Sequence, residues 1–199
     1  AYVYTLQSRI DDVASLLHHL GITGRVTLAV HDWGGMIGFG WALRDADRVA
    51  RMVILNPAAF PLPAEKPMPW QLRLGRDSRL GALAIRGLNA FSSAASFVGV
   101  EQRMPSEVRA AYVAPYDSWA HRIATLRFVQ DIPLVESDPS FSLVREVEDS
   151  LPQFRHLPLF IGWGRRDFVF DDSFLAGWTQ RFPDAEVHAY DDAAHLVLE

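Results

Sequence analysis

The chain has 199 residues, 49% hydrophobic and 22% charged, with a formal net charge of −5 from 19 basic and 24 acidic residues. That balance suits a soluble globular core and, without a basic block, offers no footing for nucleic acid or an anionic membrane surface. The absence of cysteine excludes disulfides and thiolate chemistry and fits a reducing cytoplasm, the expected location. No apolar run reaches the roughly 20 residues of a membrane span, and the N-terminus lacks the pattern of a signal peptide. Because the chain starts at Ala1 close to a helical pattern and stops at Glu199, soon after a histidine in a loop, it is expected to be an internal stretch of a larger domain.

In chain order, Ser8 to Leu20 places Ile10, Val13, Leu16, Leu17 and Leu20 on one helical stripe, with Asp11 and Asp12 expected in the first turn and Gly21 as the stop. Val26 to Val30 is a short apolar run that suits a buried parallel strand. His31-Asp32-Trp33-Gly34-Gly35 follows, and a helix is predicted over Gly34 to Arg44. A strand turning abruptly into a helix needs small residues where the two nearly collide, the role expected of Gly34 and Gly35. Asp32 stands at the tip, the geometry of a nucleophile elbow with Asp in place of the commoner Ser. Asp32 as a plain helix N-cap is the alternative. A dinucleotide loop is excluded, because Gly34, Gly35 and Gly38 do not fit G-x-G-x-x-G.

Met52 to Leu55 predicts the next parallel strand, and Leu157 to Trp163 the one after it, about a hundred residues later. A crossover needs only a dozen or so residues, so the gap is expected to hold an inserted helical cap over 57–150. Its proline-rich opening resists helix, and helices are predicted near Leu80 to Phe91, Ser106 to Val113, Ser118 to Phe128 and Ser142 to Glu148. Residues 1–56 and 151–199 form the expected core, with a helix over Phe174 to Phe182 and a last strand over Ala185 to Tyr190. Neither an internal repeat nor a low-complexity tract interrupts this order.

Asp32, Asp167 and His195 then fall just past the carboxyl ends of three predicted parallel strands, the edge at which open α/β sheets place ligands. Their order of nucleophile, acid and histidine is the α/β-hydrolase order. A carboxylate is ionised near neutrality and attacks electrophilic carbon without a base. The resulting ester is open to a water activated by His195, with Asp167 fixing the imidazole tautomer. Trp33 is expected to add a backbone N–H to an oxyanion hole and to turn its indole toward a departing anion, core packing being the alternative for the ring.

The motifs His31-Asp32-Trp33-Gly34-Gly35, Gly164-Arg-Arg-Asp167-Phe-Val-Phe170 and Ala194-His195 closely resemble the haloalkane dehalogenase-like family of α/β-hydrolases. Tyr112-Val-Ala-Pro115-Tyr116, Arg122, Thr125-Leu126 and Ile132-Pro133 resemble that family's cap. Asn56-Pro-Ala-Ala-Phe60-Pro-Leu-Pro63, Gly87-Leu-Asn89-Ala-Phe91 and Tyr116-Asp-Ser-Trp119 are most similar to its olefin-biosynthesis branch, whose members are β-lactone decarboxylases giving a cis-alkene and CO2. The resemblance covers essentially the whole chain and implies a partial α/β-hydrolase fold, a mostly parallel sheet with a helical cap between two strands. It implies Asp32 as nucleophile, Asp167 as acid, His195 as base and Trp33 as a leaving-group donor. Some dehalogenases place the acid after the second strand, where this chain has Asn56, so Asp167 keeps the role. The family's His-Gly-Asn-Pro oxyanion loop does not occur in this sequence and is expected ahead of Ala1.

The substrate expected from the resemblance is a long-chain β-lactone, with a haloalkane next, an epoxide third, and a non-catalytic binder of apolar ligands as the alternative class. Phe60, Trp70, Tyr112, Tyr116 and Phe168 are the expected pocket residues. No cofactor or metal ion is expected. Assembly with other olefin-pathway enzymes is implied by the resemblance alone.

Overall fold

The computed structural model describes residues 2–199 and forms a four-stranded sheet in the order β1 (Val26–Asp32), β2 (Val49–Pro57), β3 (Leu159–Gly164), β4 (Glu186–Tyr190). All neighbouring pairs are parallel, with Val30 beside Ile54, Ile54 beside Ile161 and Ile161 beside Val187. Because successive side chains alternate, Val30, Met52, Ile54, Leu159, Ile161 and Trp163 share one face, and all six are buried. On the opposite face Ala29 is exposed, while Val53, Leu55 and Phe160 are only half-buried. Every residue of β4 is exposed.

Helices α1 (Leu6–His19), α2 (Gly34–Ala42), α8 (Phe141–Ser150) and α9 (Asp172–Arg181) cover the buried face. Leu6 and Ile10 of α1, Phe39 of α2, Val144 and Val147 of α8 and Trp178 of α9 join the sheet in one hydrophobic cluster. Phe39 packs against Phe154 and Trp178 at centroid distances of 5.6 and 5.7 Å. The α1 helix begins two residues before the predicted start. Thr5 caps it by accepting from the Ser8 N–H, so Asp11 and Asp12 lie past the first turn, where Asp11 pairs instead with Arg44 at 2.7 Å.

Between β2 and β3 lie α3 (Trp70–Asp77), α4 (Arg79–Leu88), α5 (Ala90–Val98), α6 (Ser106–Val113), α7 (Ile123–Gln130) and α8. Ile85, Leu126 and Val129 make a small separate cluster, whereas α8 packs with the core elements. The helix predicted over Leu80 to Phe91 is two helices, broken where Asn89 adopts a left-handed φ of 53°. The α3 helix was hidden behind the run of prolines that ends at Pro69. Among the described residues no helix is long and apolar enough to cross a membrane.

Candidate active site

Asp32 ends β1 in a left-handed conformation, φ 51°, which is costly for a non-glycine side chain and is held only where surrounding structure fixes it. Trp33 is the N-cap residue of α2, at the positive end of that helix. The tightness of the turn falls on Gly35. A Cβ there would stand 2.2 Å from the Ala58 carbonyl oxygen, so no larger residue fits unless the backbone moves. Gly34 does not share the role expected of it, because its Cβ position meets only Val30 at 3.8 Å.

The structure brings Asp32, Asp167 and His195 together. His195 Nδ1 lies 2.7 Å from Asp167 Oδ2, and its Nε2 stands 3.9 Å from Asp32 Oδ2. With Asp167 as acceptor, Nδ1 carries the proton, which leaves Nε2 facing Asp32. Phe170 stacks on the imidazole at 5.7 Å. Asp167 is 2% exposed; burial alone would raise its pKa, but the His195 hydrogen bond, the charge of His195 and the N–H groups of Val169 and Phe170 outweigh burial and depress it. Burial likewise opposes charge on His195, yet the Asp167 hydrogen bond and the carboxylates of Asp32 and Asp167 raise its pKa above the ordinary value.

Asn56 supports this pair in a way the sequence did not reveal. It is fully buried at the end of β2 with a left-handed φ of 46°, and its Nδ2 donates to Asp167 Oδ2 at 3.1 Å and to the Gly164 carbonyl at 2.9 Å. Its Oδ1 accepts from the Gly164 N–H at 2.8 Å, so one amide ties β2 to the start of the loop bearing Asp167. The loop bearing His195 is held from several sides. Arg166 N donates to Ala193 O at 3.0 Å, Leu196 N to Gly99 O at 2.7 Å, and His31 Nε2 lies 2.8 Å from the His195 carbonyl oxygen. A Cβ on Gly164 would stand 2.1 Å from Ala194 O, so this glycine is what lets the loop bearing His195 settle on β3. A polar residue at the end of each apolar strand run was the available signal for Asn56 and His31.

The Trp33 ring packs edge-on against Phe128 of α7 at 5.3 Å. The Arg9 guanidinium sits 3.8 Å from the Phe128 centroid and 4.8 Å from that of Trp33, and it pairs with Asp131 at 2.6 Å. Both members of that pair are 6% exposed, and Ser140 Oγ donates to the other Asp131 oxygen at 2.8 Å. Arg9 Nε and Nη2 have no acceptor among the described residues, their surroundings being aromatic faces.

The expected pocket aromatics do not converge on the triad. Phe60 is 3% exposed and packs with Phe174 and Trp178 in the core, because the chain leaving β2 turns down over α9. Trp70 is 70% exposed on the outside of α3. Tyr112 donates to Glu199 at 2.6 Å, the carbonyl of half-buried Tyr116 accepts from Arg122, and exposed Phe168 borders Lys66 through its carbonyl. Among the described residues none of the five makes a hydrogen bond or ring contact with Asp32, Asp167 or His195. A cleft of about 480 Å³ opens between α1, α2 and α7, lined by residues that include Arg9, Val13, Ile37, Ala124 and Phe128 and not by the triad.

Comparison with known proteins agrees with the fold. A family profile described as the alpha/beta hydrolase fold matches residues 2–199. The chain is similar to the cis-3-alkyl-4-alkyloxetan-2-one decarboxylase of Xanthomonas campestris, with 62% identity over 198 residues covering 100% of this chain and 66% of that protein. The Shewanella oneidensis protein of the same name is 52% identical, covering 100% of this chain and 63% of its own length. A haloalkane dehalogenase of Mycolicibacterium paratuberculosis is 30% identical, with 98% and 62% coverage. The crystal structure of haloalkane dehalogenase DbeA from Bradyrhizobium elkani superposes with a TM-score of 0.85 at 20% identity, over 98% of this chain and 68% of that one. The chain thus spans just under two thirds of the length of the curated relatives named here.

Proposed function

Because this chain belongs to the α/β hydrolase fold family, we propose that it carries the catalytic apparatus of a decarboxylase acting on cis-3,4-dialkyl β-lactones, with Asp32 as nucleophile. The observation that carries the reading is His195, whose Nδ1 lies 2.7 Å from buried Asp167 while Nε2 stands 3.9 Å from Asp32 on its strained elbow. The substrate class is taken from the proteins 62% and 52% identical to it.

The chemistry balances without water. Asp32 Oδ2 attacks ring carbon 4 of the oxetanone, forming a C–O ester bond as the C4–O ring bond breaks and its electron pair leaves on the freed carboxylate. The C3–CO2 bond then breaks, its electrons form the C3=C4 double bond, and Asp32 departs with the ester electron pair. Inversion at C4 followed by anti elimination keeps a cis lactone cis in the alkene. The charge returning to Asp32 faces His195, and Trp33, at the positive end of α2, stands beside the reacting centre. Asp167 and Asn56 hold the imidazole and its tautomer.

A haloalkane dehalogenase activity is the second reading, favoured by the Asp32-Trp33 elbow and the 30% identical relative. There, water activated by neutral His195 hydrolyses the Asp32 ester after halide departs. Full-length protein incubated with a cis-β-lactone and, separately, with a bromoalkane distinguishes the two. Alkene with CO2 supports the first and bromide the second, while neither product defeats both. An Asp32→Asn variant is expected to lose turnover by at least about a thousandfold.

A further inference from the structure

His31 is a half-buried imidazole that the reaction above leaves unused. It directly precedes the nucleophile, and its Nε2 lies 2.8 Å from the His195 backbone oxygen, 164 residues away in sequence. A carbonyl oxygen only accepts, so this nitrogen must be the protonated one. The two imidazole rings lie 4.5 Å apart, tilted by 42°. Strand alternation alone would turn residues 31 and 32 away from each other; the left-handed Asp32 bends the chain so that both meet His195.

The neighbours of His31 define its charge state. Burial and the facing His195 push its pKa below the ordinary value, while Asp32, the His195 carbonyl and Asp167 pull the other way with less effect. A neutral His31 with its proton on Nε2 donates to the His195 carbonyl without placing a second cation beside the base. Other ties on that loop, at Asp191, Ala193 and Leu196, come from Arg165 and Arg166 before Asp167 and from Gly99 after α5. The tie from the nucleophile's own strand is His31.

We propose that His31 is a positioning residue, its Nε2–H holding the His195 backbone so that the base keeps its spacing to Asp32 and Asp167. The inference rests on the triad reading given above and goes beyond it, because it makes the nucleophile–base distance a property of two adjacent residues of β1. The bland competitor is a histidine that merely satisfies a buried carbonyl.

The test uses full-length protein with His31→Gln, which keeps an N–H donor, and His31→Leu, which removes it. The His195 ring is titrated by NMR on protein carrying ¹³C-labelled histidine, and β-lactone turnover is measured alongside. In the wild type and in His31→Gln, His195 is expected to titrate above the ordinary histidine value of about 6.5. In His31→Leu the titration is expected to drop toward that value, with kcat lowered about ten- to a hundredfold and KM changed less than about twofold. An unchanged His195 titration in His31→Leu overturns the proposal, as does a Gln variant as impaired as the Leu variant. Should His31→Leu fail to fold, ring ¹⁵N shifts of the wild type decide: a proton on His31 Nε2 throughout the His195 titration supports it, and a proton on Nδ1 alone overturns it. The titration needs no substrate, so an inactive protein with an anchored His195 would refute the reaction and leave the positioning role standing.

Discussion

His195 titrates under opposing influences, and their balance sets a pH window. Its pKa is raised in the fold, so its contribution to stability is complete below the unfolded value of about 6.5 and is lost as pH rises through the folded value. Asp167 is depressed, so its share is complete above the unfolded value of about 3.9 and is lost as pH falls through the folded one. The pair therefore stabilises most between about pH 4 and 6.5. Denaturant midpoints measured across pH 3 to 9 are expected to fall on both sides of that window, and Asp167→Asn to flatten both slopes. The two candidate reactions also separate by pH. Bromide turnover requires neutral His195 and is expected to decline as pH drops through its raised value, whereas alkene formation consumes no proton and carries no such demand. At Asn56 a single buried amide serves three partners. Asn56→Leu is expected to cost about 1–3 kcal/mol in urea unfolding and to loosen Asp167, lowering turnover as well.

Among the elements, the loop that carries His195 rests against β3 through Gly164. Gly164→Ala places a methyl against the Ala194 carbonyl, and the loop must shift to admit it. The expected result is a kcat reduced about a hundredfold, with the circular-dichroism melt lowered only modestly. Sequence patterning reached this level unevenly. The first three strands were legible as short apolar runs and the fourth as an alternating one, and Asp32 as the polar residue that ends β1, which are local signals; Asp167 and His195 sit in loops beyond β3 and β4, and the fold is what brings them to Asp32. Asn89 was not, since asparagine is tolerated inside a helical pattern and only the structure reveals its left-handed break. The pocket aromatics were misplaced for a related reason. Phe60, Trp70 and Phe168 look alike in sequence, and only packing sends the first into the core and leaves the other two in solvent.

Across the whole molecule, the helices between β2 and β3 meet α1 through a buried charge pair. Arg9 of α1 and Asp131, just past α7, are 122 residues apart in sequence, and nothing local pairs them. Removing one partner leaves the other charge stranded, so Asp131→Ala is expected to cost about 3–5 kcal/mol in chemical denaturation. The double variant with Arg9→Met is expected to recover part of that loss, the coupling being read from the four-member cycle. The half-covered sheet face of Ala29, Val53, Leu55 and Phe160 is a second global feature. This chain is expected to bind an apolar fluorescent dye there, and Phe160→Thr to weaken the signal without lowering the unfolding free energy by more than about 1 kcal/mol.

The bond from Leu196 N to Gly99 O reaches from the residue after His195 to the end of α5. The His195 loop and the helices between β2 and β3 are thereby joined backbone to backbone, so a set of those helices transplanted from a relative must bring a carbonyl to that spot. A graft lacking it would inherit a slack imidazole, and its poor turnover would be misread as a mismatch with substrate.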